Sequence, residues 1–252
     1  MAVNKIGRRD YSLVTIKSIL RDKKMNSKEY SFCRKATEVT SATNLKVMKP
    51  NELFDLIKDT EYITSGDSVD WSVQIFDDEK RIRLIFQESN GKRDWQNNFC
   101  FPVKPYKQQE NTLWLHKGWA DAWKSCNDEV CEKAIRYMDA YSEYDMEVCG
   151  WSYGGAMAVI ALEDLGFRTN RCDFILTTFG APKALFGKKT REYVMSYAKE
   201  INQYTDVNDI VTLLPPFPFY KHCHKVPVDK KVAFGLLKPT VYHCGYGDKN
   251  LY

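Results

Sequence analysis

A glycine-flanked serine carries the most legible chemistry in this chain. Gly150-Trp151-Ser152-Tyr153-Gly154 is a G-x-S-x-G sequence between two apolar runs, Met146-Glu147-Val148-Cys149 and Ala156-Met157-Ala158-Val159-Ile160-Ala161-Leu162. The first run is short enough for a buried strand, and the second predicts an apolar helix ending near Gly166. Ser152 then sits on a strand-to-helix turn, the arrangement of a nucleophile elbow. Such a turn holds the serine in a strained backbone, with its hydroxyl exposed and a helix N-terminus behind it. Gly150 and Gly154 are expected to let strand and helix cross closely, where larger side chains would clash. G-x-S-x-G alone arises often by chance, so the flanking strand and helix give the motif its weight.

A serine nucleophile needs a base and an acid that orients it. The chain holds four histidines, His116, His222, His224 and His243. The α/β-hydrolase chain order of serine, then acid, then histidine removes His116 and points to the C-terminal part of the chain. There Asn202-Gln203-Tyr204-Thr205-Asp206-Val207-Asn208-Asp209-Ile210-Val211 reads as a strand running into a loop, closed by Pro215-Pro216. It offers two acids, Asp206 and Asp209.

Further blocks follow one another in a recognisable order. Ile85-Phe86-Gln87-Glu88-Ser89, Asp94-Trp95, Leu115-His116-Lys117-Gly118-Trp119, Thr178-Phe179-Gly180-Ala181-Pro182-Lys183, Asn208-Asp209-Ile210-Val211-Thr212-Leu213-Leu214-Pro215-Pro216 and Tyr242-His243-Cys244-Gly245-Tyr246 are the six. With the elbow, they make residues 70 to 250 resemble the class 3 lipases, the fungal triacylglycerol lipase-like family. The resemblance implies an α/β fold with a mostly parallel central sheet and helices on both faces. It places the triad acid on Asp209, with Asp206 as a neighbour, and the base on His243.

The roles it implies are concrete. Ser152 attacks an ester carbonyl, His243 removes its proton and later protonates the leaving alcohol, and Asp209 fixes the imidazole tautomer. The oxyanion hole would be formed by the backbone N–H of Tyr153 and by Ser89, through its N–H and hydroxyl. Such donors are typically worth about 3 kcal/mol each in the transition state. Trp95, Phe99 and Trp151 are the expected apolar contacts to substrate and lid. No metal or organic cofactor is implied, and the partner is an acyl-ester or lipid substrate, with transient contact to lipid surfaces.

Two departures from the family pattern bear on substrate. The usual Arg-Gly pair before the oxyanion residue is replaced by Gln87-Glu88, which predicts a differently shaped loop. The segment Asn90 to Phe99, which aligns with the lipase lid, has only Trp95 and Phe99 as large apolar residues. Soluble or micellar esters, or phospholipid acyl chains, fit this lid at least as well as bulk triglyceride. A catalytically silent interaction scaffold and an acyltransferase using the same triad are the other two readings.

The elements that must position these residues are visible as patterns. Trp71 to Phe76 and Arg81 to Phe86 both alternate around a turn-like Asp77-Asp78-Glu79-Lys80, which predicts a hairpin. Residues 117 to 142 predict a long helix, Phe174 to Phe179 a buried strand, and 11 to 25 and 51 to 60 short amphipathic helices. Alternating strands and helices imply the same layered sheet that the resemblance does. A single domain over 1–252 is expected, with 1–65 as a helical extension packed on it. Of the basic stretches, Lys183 to Arg191 is the densest, and it reads as a charged loop entering a helix.

Composition sets the outer bounds. A net charge of +4 among 70 charged residues reads as a solvated surface, with no nucleic-acid footprint. Lys5, Arg8, Arg9, Asp10 and Lys17 interrupt the apolar residues up to Leu20, so no secretory leader is expected and the expectation is a cytoplasmic protein. No stretch approaches the roughly 18 apolar residues of a membrane span. Without a leader, Cys33, Cys100, Cys126, Cys131, Cys149, Cys172, Cys223 and Cys244 read mostly as reduced thiols, with Cys149 and Cys172 in the core. Cys126 and Cys131 lie too far round a helix to bond. His222-Cys223-His224 lacks the spacing of a common zinc site, and His116 reads as structural.

Overall fold

The computed structural model describes residues 47–88, 102–108, 111–215, 220–221, 226–228, 242–248 and 251–252. Its elements in chain order are α1 (Pro50–Asp59), β1 (Ile63–Ser65), β2 (Val69–Phe76), β3 (Arg81–Phe86), β4 (Val103–Gln108), β5 (Asn111–His116), α2 (Lys117–Ala140), β6 (Asp145–Trp151) and α3 (Tyr153–Thr169). They continue with β7 (Phe174–Phe179), β8 (Leu185–Phe186), α4 (Lys188–Met195), β9 (Ala198–Asp206), β10 (Tyr220–Lys221) and β11 (Val226–Val228). The expected helix over 11–25 lies outside the described residues. Of the expected extension 1–65, α1 and β1 belong to the main body, since Ser41–Tyr252 forms one compact unit.

A sheet in the order β1-β2-β3-β6-β7-β9-β11 organises that body. The strands β3, β6, β7, β9 and β11 pair parallel, and the predicted β2–β3 hairpin and β1 extend one edge antiparallel. Parallel strands need crossovers that cover both faces, and the alternation along each strand divides the core accordingly. Ile82, Leu84 and Phe86 of β3, Met146 and Val148 of β6, and Phe174 and Leu176 of β7 meet α2 and α3 on one face. Ile85, Cys149, Trp151 and Phe179 point to the other, where Leu53, Phe54 and Ile57 of α1 cover them together with Tyr246. Both faces are therefore covered, as the pattern predicts. A small antiparallel sheet in the order β10-β8-β5-β4 was not legible in the sequence; Pro105 lies on its edge strand β4, where a missing N–H is tolerated.

The apolar run after the elbow builds α3, buried from Tyr153 to Gly166. It ends at Thr169, three residues past the expected Gly166, with Asn170 in the left-handed conformation as its cap. Gly166 serves packing instead, because a Cβ there would lie 2.2 Å from the Tyr197 ring. Asp164, buried in the same helix, accepts from Trp123 Nε1 at 3.0 Å, Asn127 Nδ2 at 3.1 Å, the Tyr106 hydroxyl at 3.1 Å and Arg168 Nε at 2.8 Å. That carboxylate joins α3 to α2 and β4, and its burial is offset by charge-assisted hydrogen bonds. No helix among the described residues is long and apolar enough to cross a membrane.

Several charges depart from the expected solvated surface. Arg83 is fully buried in β3. Its Nε meets Glu147 Oε2 at 2.8 Å, its Nη1 and Nη2 meet Glu79 at 3.0 and 2.6 Å, and its guanidinium stands 4.4 Å over the Phe76 ring. Glu147 also accepts from Arg81 Nη1 at 3.1 Å and from the Thr177 hydroxyl at 2.6 Å, so one carboxylate links β3, β6 and β7. Cys149 is in the core as expected, whereas Cys172 is exposed, because it lies in the turn before β7 rather than within it. Cys126, Cys131 and Cys149 are buried free thiols. Burial pushes the Cys126 thiol up to about 12.

Removing one partner from this network leaves a buried uncompensated charge. Glu147→Ala is expected to lower unfolding free energy by about 3–5 kcal/mol in urea titration, and a change within 0.5 kcal/mol would show the network to be solvated. Glu79 gives the pH arm. Burial raises its carboxyl, but the hydrogen bonds from Arg83 and the Met48 N–H outweigh that and hold it below the ordinary glutamate value. Its stabilisation is thus present above roughly pH 4 and lost as pH falls through the lower folded-state value. Glu79→Gln is expected to flatten that acid limb in denaturation midpoints.

Candidate active site

The end of β6 hands the chain to α3 through one strained residue. Ser152 adopts φ 55° and ψ −125°, a conformation that costs a non-glycine residue on the order of 1–3 kcal/mol. The surrounding backbone fixes it: Ser152 N–H donates to Phe179 O at 2.9 Å, and its carbonyl accepts from Gly155 N–H at 3.0 Å. The motif glycines make the crossing possible. A Cβ on Gly150 would lie 2.3 Å from Gly154 O, and one on Gly154 would lie 2.3 Å from the carbonyl oxygens of Phe86 and Gln87. A serine at a helix N-cap normally turns its hydroxyl back onto the first-turn amides. Ser152 makes no such bond. Its Oγ lies 2.7 Å from His243 Nε2.

The other ring nitrogen, Nδ1, is 2.8 Å from Asp209 Oδ2. Of the two candidate acids, Asp209 is the one brought to His243, while Asp206 accepts from Asn208 N–H in its own turn at 2.8 Å. Asp209 is fully buried, so its charge must be met by donors. Oδ1 accepts from Val211 N–H at 3.0 Å, and Oδ2 accepts from the Tyr246 hydroxyl at 2.8 Å besides facing the imidazole. Tyr246 in turn accepts from Asp206 N–H at 2.9 Å. Burial, then the charges of Asp209 and Asp206, push its hydroxyl well above the ordinary tyrosine value, which keeps it a neutral donor. Among the described residues, both acids and Tyr246 therefore share one hydrogen-bonded cluster.

Gly180 explains the Phe-Gly-x-Pro block. At φ +55°, its missing Cβ would lie 2.7 Å from Asp209 Oδ2 and 3.1 Å from His243 Nδ1. The end of β7 passes that close only because the residue has no side chain. Sequence reasoning quoted this glycine and Tyr246 as parts of blocks without giving either a role.

Trp151 needs correction. It was expected to face substrate or lid, but it is 4% exposed and lies in the core beneath α1. The strict alternation of β6 turns its side chain to that face. Its Nε1 donates to the His243 carbonyl at 3.0 Å. His116 is structural as expected: it caps α2, with Nδ1 accepting from Trp119 N–H at 3.4 Å, and stacks on that indole at 3.7 Å between centroids. Tyr153 opens α3, at the helix N-terminus, where the helix dipole favours negative charge. Glu88, in the position of the family glycine, is half-buried, and burial raises its carboxyl despite the opposing influence of His243 and Lys58. Ser89, Trp95, Phe99, His222 and His224 lie outside the described residues.

A hydroxyl bonded to an imidazole, itself oriented by a buried carboxylate, can carry acyl transfer through a covalent intermediate. Known proteins with related sequences are lipases by name. The lipase of Rhizomucor miehei is 28% identical over 161 residues, spanning 59% of this chain and 44% of that protein. Lipase A of Sodiomyces alcalophilus is 26% identical over 126 residues, spanning 46% and 30%. The chain thus spans less than half the length of these curated relatives. Among solved structures, a triacylglycerol lipase whose catalytic centre is formed by a serine protease triad superposes with a TM-score of 0.60 at 25% identity, covering 70% of this chain and 69% of that one. The lipase of Rhizopus microsporus var. chinensis shares the fold at 19% identity, with a TM-score of 0.60 over 88% of this chain and 77% of that one. The sequence pattern of the family described as Lipase (class 3) matches residues 83–219, a span that begins within β3 and includes Ser152 and Asp209. With more than half of its length in that match, and the elbow, the acid loop and the parallel sheet in that family's order, the chain belongs to the class 3 lipases.

Proposed function

We propose that this protein is a serine hydrolase of carboxylic esters, acting on the acyl esters of lipids. The observation that carries the reading is the unbroken hydrogen-bond sequence Ser152 Oγ, His243 Nε2, His243 Nδ1, Asp209 Oδ2, with contacts of 2.7 and 2.8 Å, on a strained elbow. In this reading His243 takes the Ser152 proton as Oγ attacks the ester carbonyl, then gives it to the departing alcohol. The resulting acyl-serine is hydrolysed by a water that His243 activates in the same way. Asp209 keeps the Nδ1–H tautomer and stabilises the imidazolium, while the Tyr246 hydroxyl and Val211 N–H hold the carboxylate in place. Tyr153 N–H and Ser89 are the proposed oxyanion donors.

The substrate class follows from the relatives, which include named lipases and a triacylglycerol lipase. The polar composition of 90–99 narrows it, because a segment with two large apolar side chains presents little surface for an oil phase to act on. Micellar and phospholipid acyl esters are therefore favoured over bulk triglyceride.

The nucleophile assignment has a direct test. Ser152→Ala is expected to abolish labelling by a fluorophosphonate probe and to reduce turnover of p-nitrophenyl esters by about 10⁶-fold, as when a triad acts as a unit. Labelling that survives the substitution would sink the serine mechanism.

Two substitutions separate the acids. Asp209→Asn is expected to reduce kcat by about 10⁴-fold through loss of the correct imidazole tautomer, while Asp206→Asn leaves most turnover intact. The opposite ranking would contradict the assignment of Asp209.

Gly180→Ala tests the geometry from a residue with no chemistry of its own. A Cβ within 3.1 Å of both Asp209 Oδ2 and His243 Nδ1 forces that pair to move, and a displacement of that order is expected to lower kcat by about 10²-fold. Wild-type kcat in a folded Gly180→Ala protein would show the pair to be less constrained than these contacts require.

A further inference from the structure

His243 lies in a short segment, Tyr242 to Asp248, far along the chain from the sheet that carries Ser152. Besides the bond to Ser152, two further contacts tie its backbone and ring to that sheet, and one side chain makes both. Trp151 donates from Nε1 to the His243 carbonyl at 3.0 Å, and its ring lies 5.7 Å from the imidazole, tilted by 38°. Trp151 is itself held from beneath, edge-on against Phe54 of α1 at 5.1 Å between centroids. Phe54 also packs against Phe179 and Tyr246, at 5.4 and 5.8 Å. The consequence follows from adjacency in sequence. Ser152 and Trp151 are neighbours at the end of β6, one presenting its hydroxyl to the imidazole and the other gripping the carbonyl of the same histidine.

Resting on the reading of Ser152 and His243 as nucleophile and base, we propose that Trp151 is a positioning residue, whose indole N–H holds the His243 backbone so that its imidazole meets Ser152 and Asp209 together. A buried aromatic without the donor would fill the same space and leave the His243 carbonyl unpaired, free to rotate the segment. Asp209 meets the ring at Nδ1 and Ser152 meets it at Nε2, and neither bond holds the backbone that carries the ring. Trp151 supplies the anchor. Phe54 limits the indole's own movement, which couples α1 to the base through Trp151.

The test removes the donor and keeps the shape. β-(3-Benzothienyl)alanine, isosteric with tryptophan but without N–H, is placed at position 151 by codon suppression, and Trp151→Phe is made alongside it. The first readout is the downfield proton resonance of His243 Nδ1–H in its bond to Asp209, which is independent of turnover. The second is the split of kcat from KM on a short-chain p-nitrophenyl ester. Both variants are expected to broaden or shift the resonance, and to lower kcat about five- to tenfold with KM within about twofold, the scale of one neutral hydrogen bond. An unchanged resonance in the isosteric variant overturns the proposal, even where thermal stability falls, because Trp151 is then core packing alone. If Trp151→Phe does not fold, the isosteric variant decides. If the wild-type protein neither labels with fluorophosphonate nor turns over esters, the hydrolase reading fails, while the resonance still decides whether Trp151 places the imidazole.

Discussion

The backbone of Ser152 is the constraint on which the rest of the site depends. A positive φ at a non-glycine residue persists only where the surroundings over-determine it, and here they do so from three sides. The β7 strand accepts the Ser152 N–H, the first turn of α3 donates to its carbonyl, and the close approach of Gly154 to the end of β3 leaves no room for the turn to relax. The hydroxyl is thereby kept off the helix amides that would otherwise satisfy it, and is presented to the imidazole. Core packing of α3 against β3, β6 and β7 opposes the strain of this one residue, so the stability of the fold and the geometry of the nucleophile are the same problem.

A second constraint is the burial of Asp209. A carboxylate removed from water is tolerable only when every lone pair that matters is met, and Asp209 meets this with a backbone amide, a tyrosine hydroxyl and the imidazole. The donors come from two places: Val211 from the 3₁₀ turn that Asp209 caps, and Tyr246 and His243 from the C-terminal segment. The acid therefore gathers the last part of the chain onto the sheet. Gly180 sets how near β7 may come to that cluster, and its lack of a side chain is what allows the carboxylate and imidazole to be enclosed.

Much of this was legible in the sequence, and the reasons for the remainder are physical. The elbow, the β2–β3 hairpin, α2, β7 and the helix over 51–60 follow from periodicity and turn chemistry, which are local. The choice of Asp209 over Asp206 needed the family pattern, because both acids sit on one short turn and both are buried; only the third dimension says which one meets His243. Arg83 sits in the alternating strand of the predicted hairpin, yet Glu79 of the hairpin turn, Glu147 of β6 and the Phe76 ring enclose it, and a pattern of period two cannot say what covers a face. Trp151 misled for a related reason: adjacent to the nucleophile in sequence, it lies on the opposite side of the strand. Cys172 was placed in the core by its neighbours, but it stands two residues before the start of β7 at Phe174.

The division of the sheet into two faces also separates what holds the elbow from what holds the acid and base. One face, against α2 and α3, holds the elbow in place through bulk apolar packing, where many side chains of similar volume serve. The other, against α1, contains fewer residues, and these touch the acid and base segments directly: Phe54 packs on Trp151, Phe179 and Tyr246, and Phe179 on Tyr246, all within 6.0 Å between centroids. A volume change on the first face is spread over a large core. On the second it is passed within one or two contacts to Asp209 or His243, so the identities of the aromatic residues beneath the base matter more than their distance from the reacting atoms suggests.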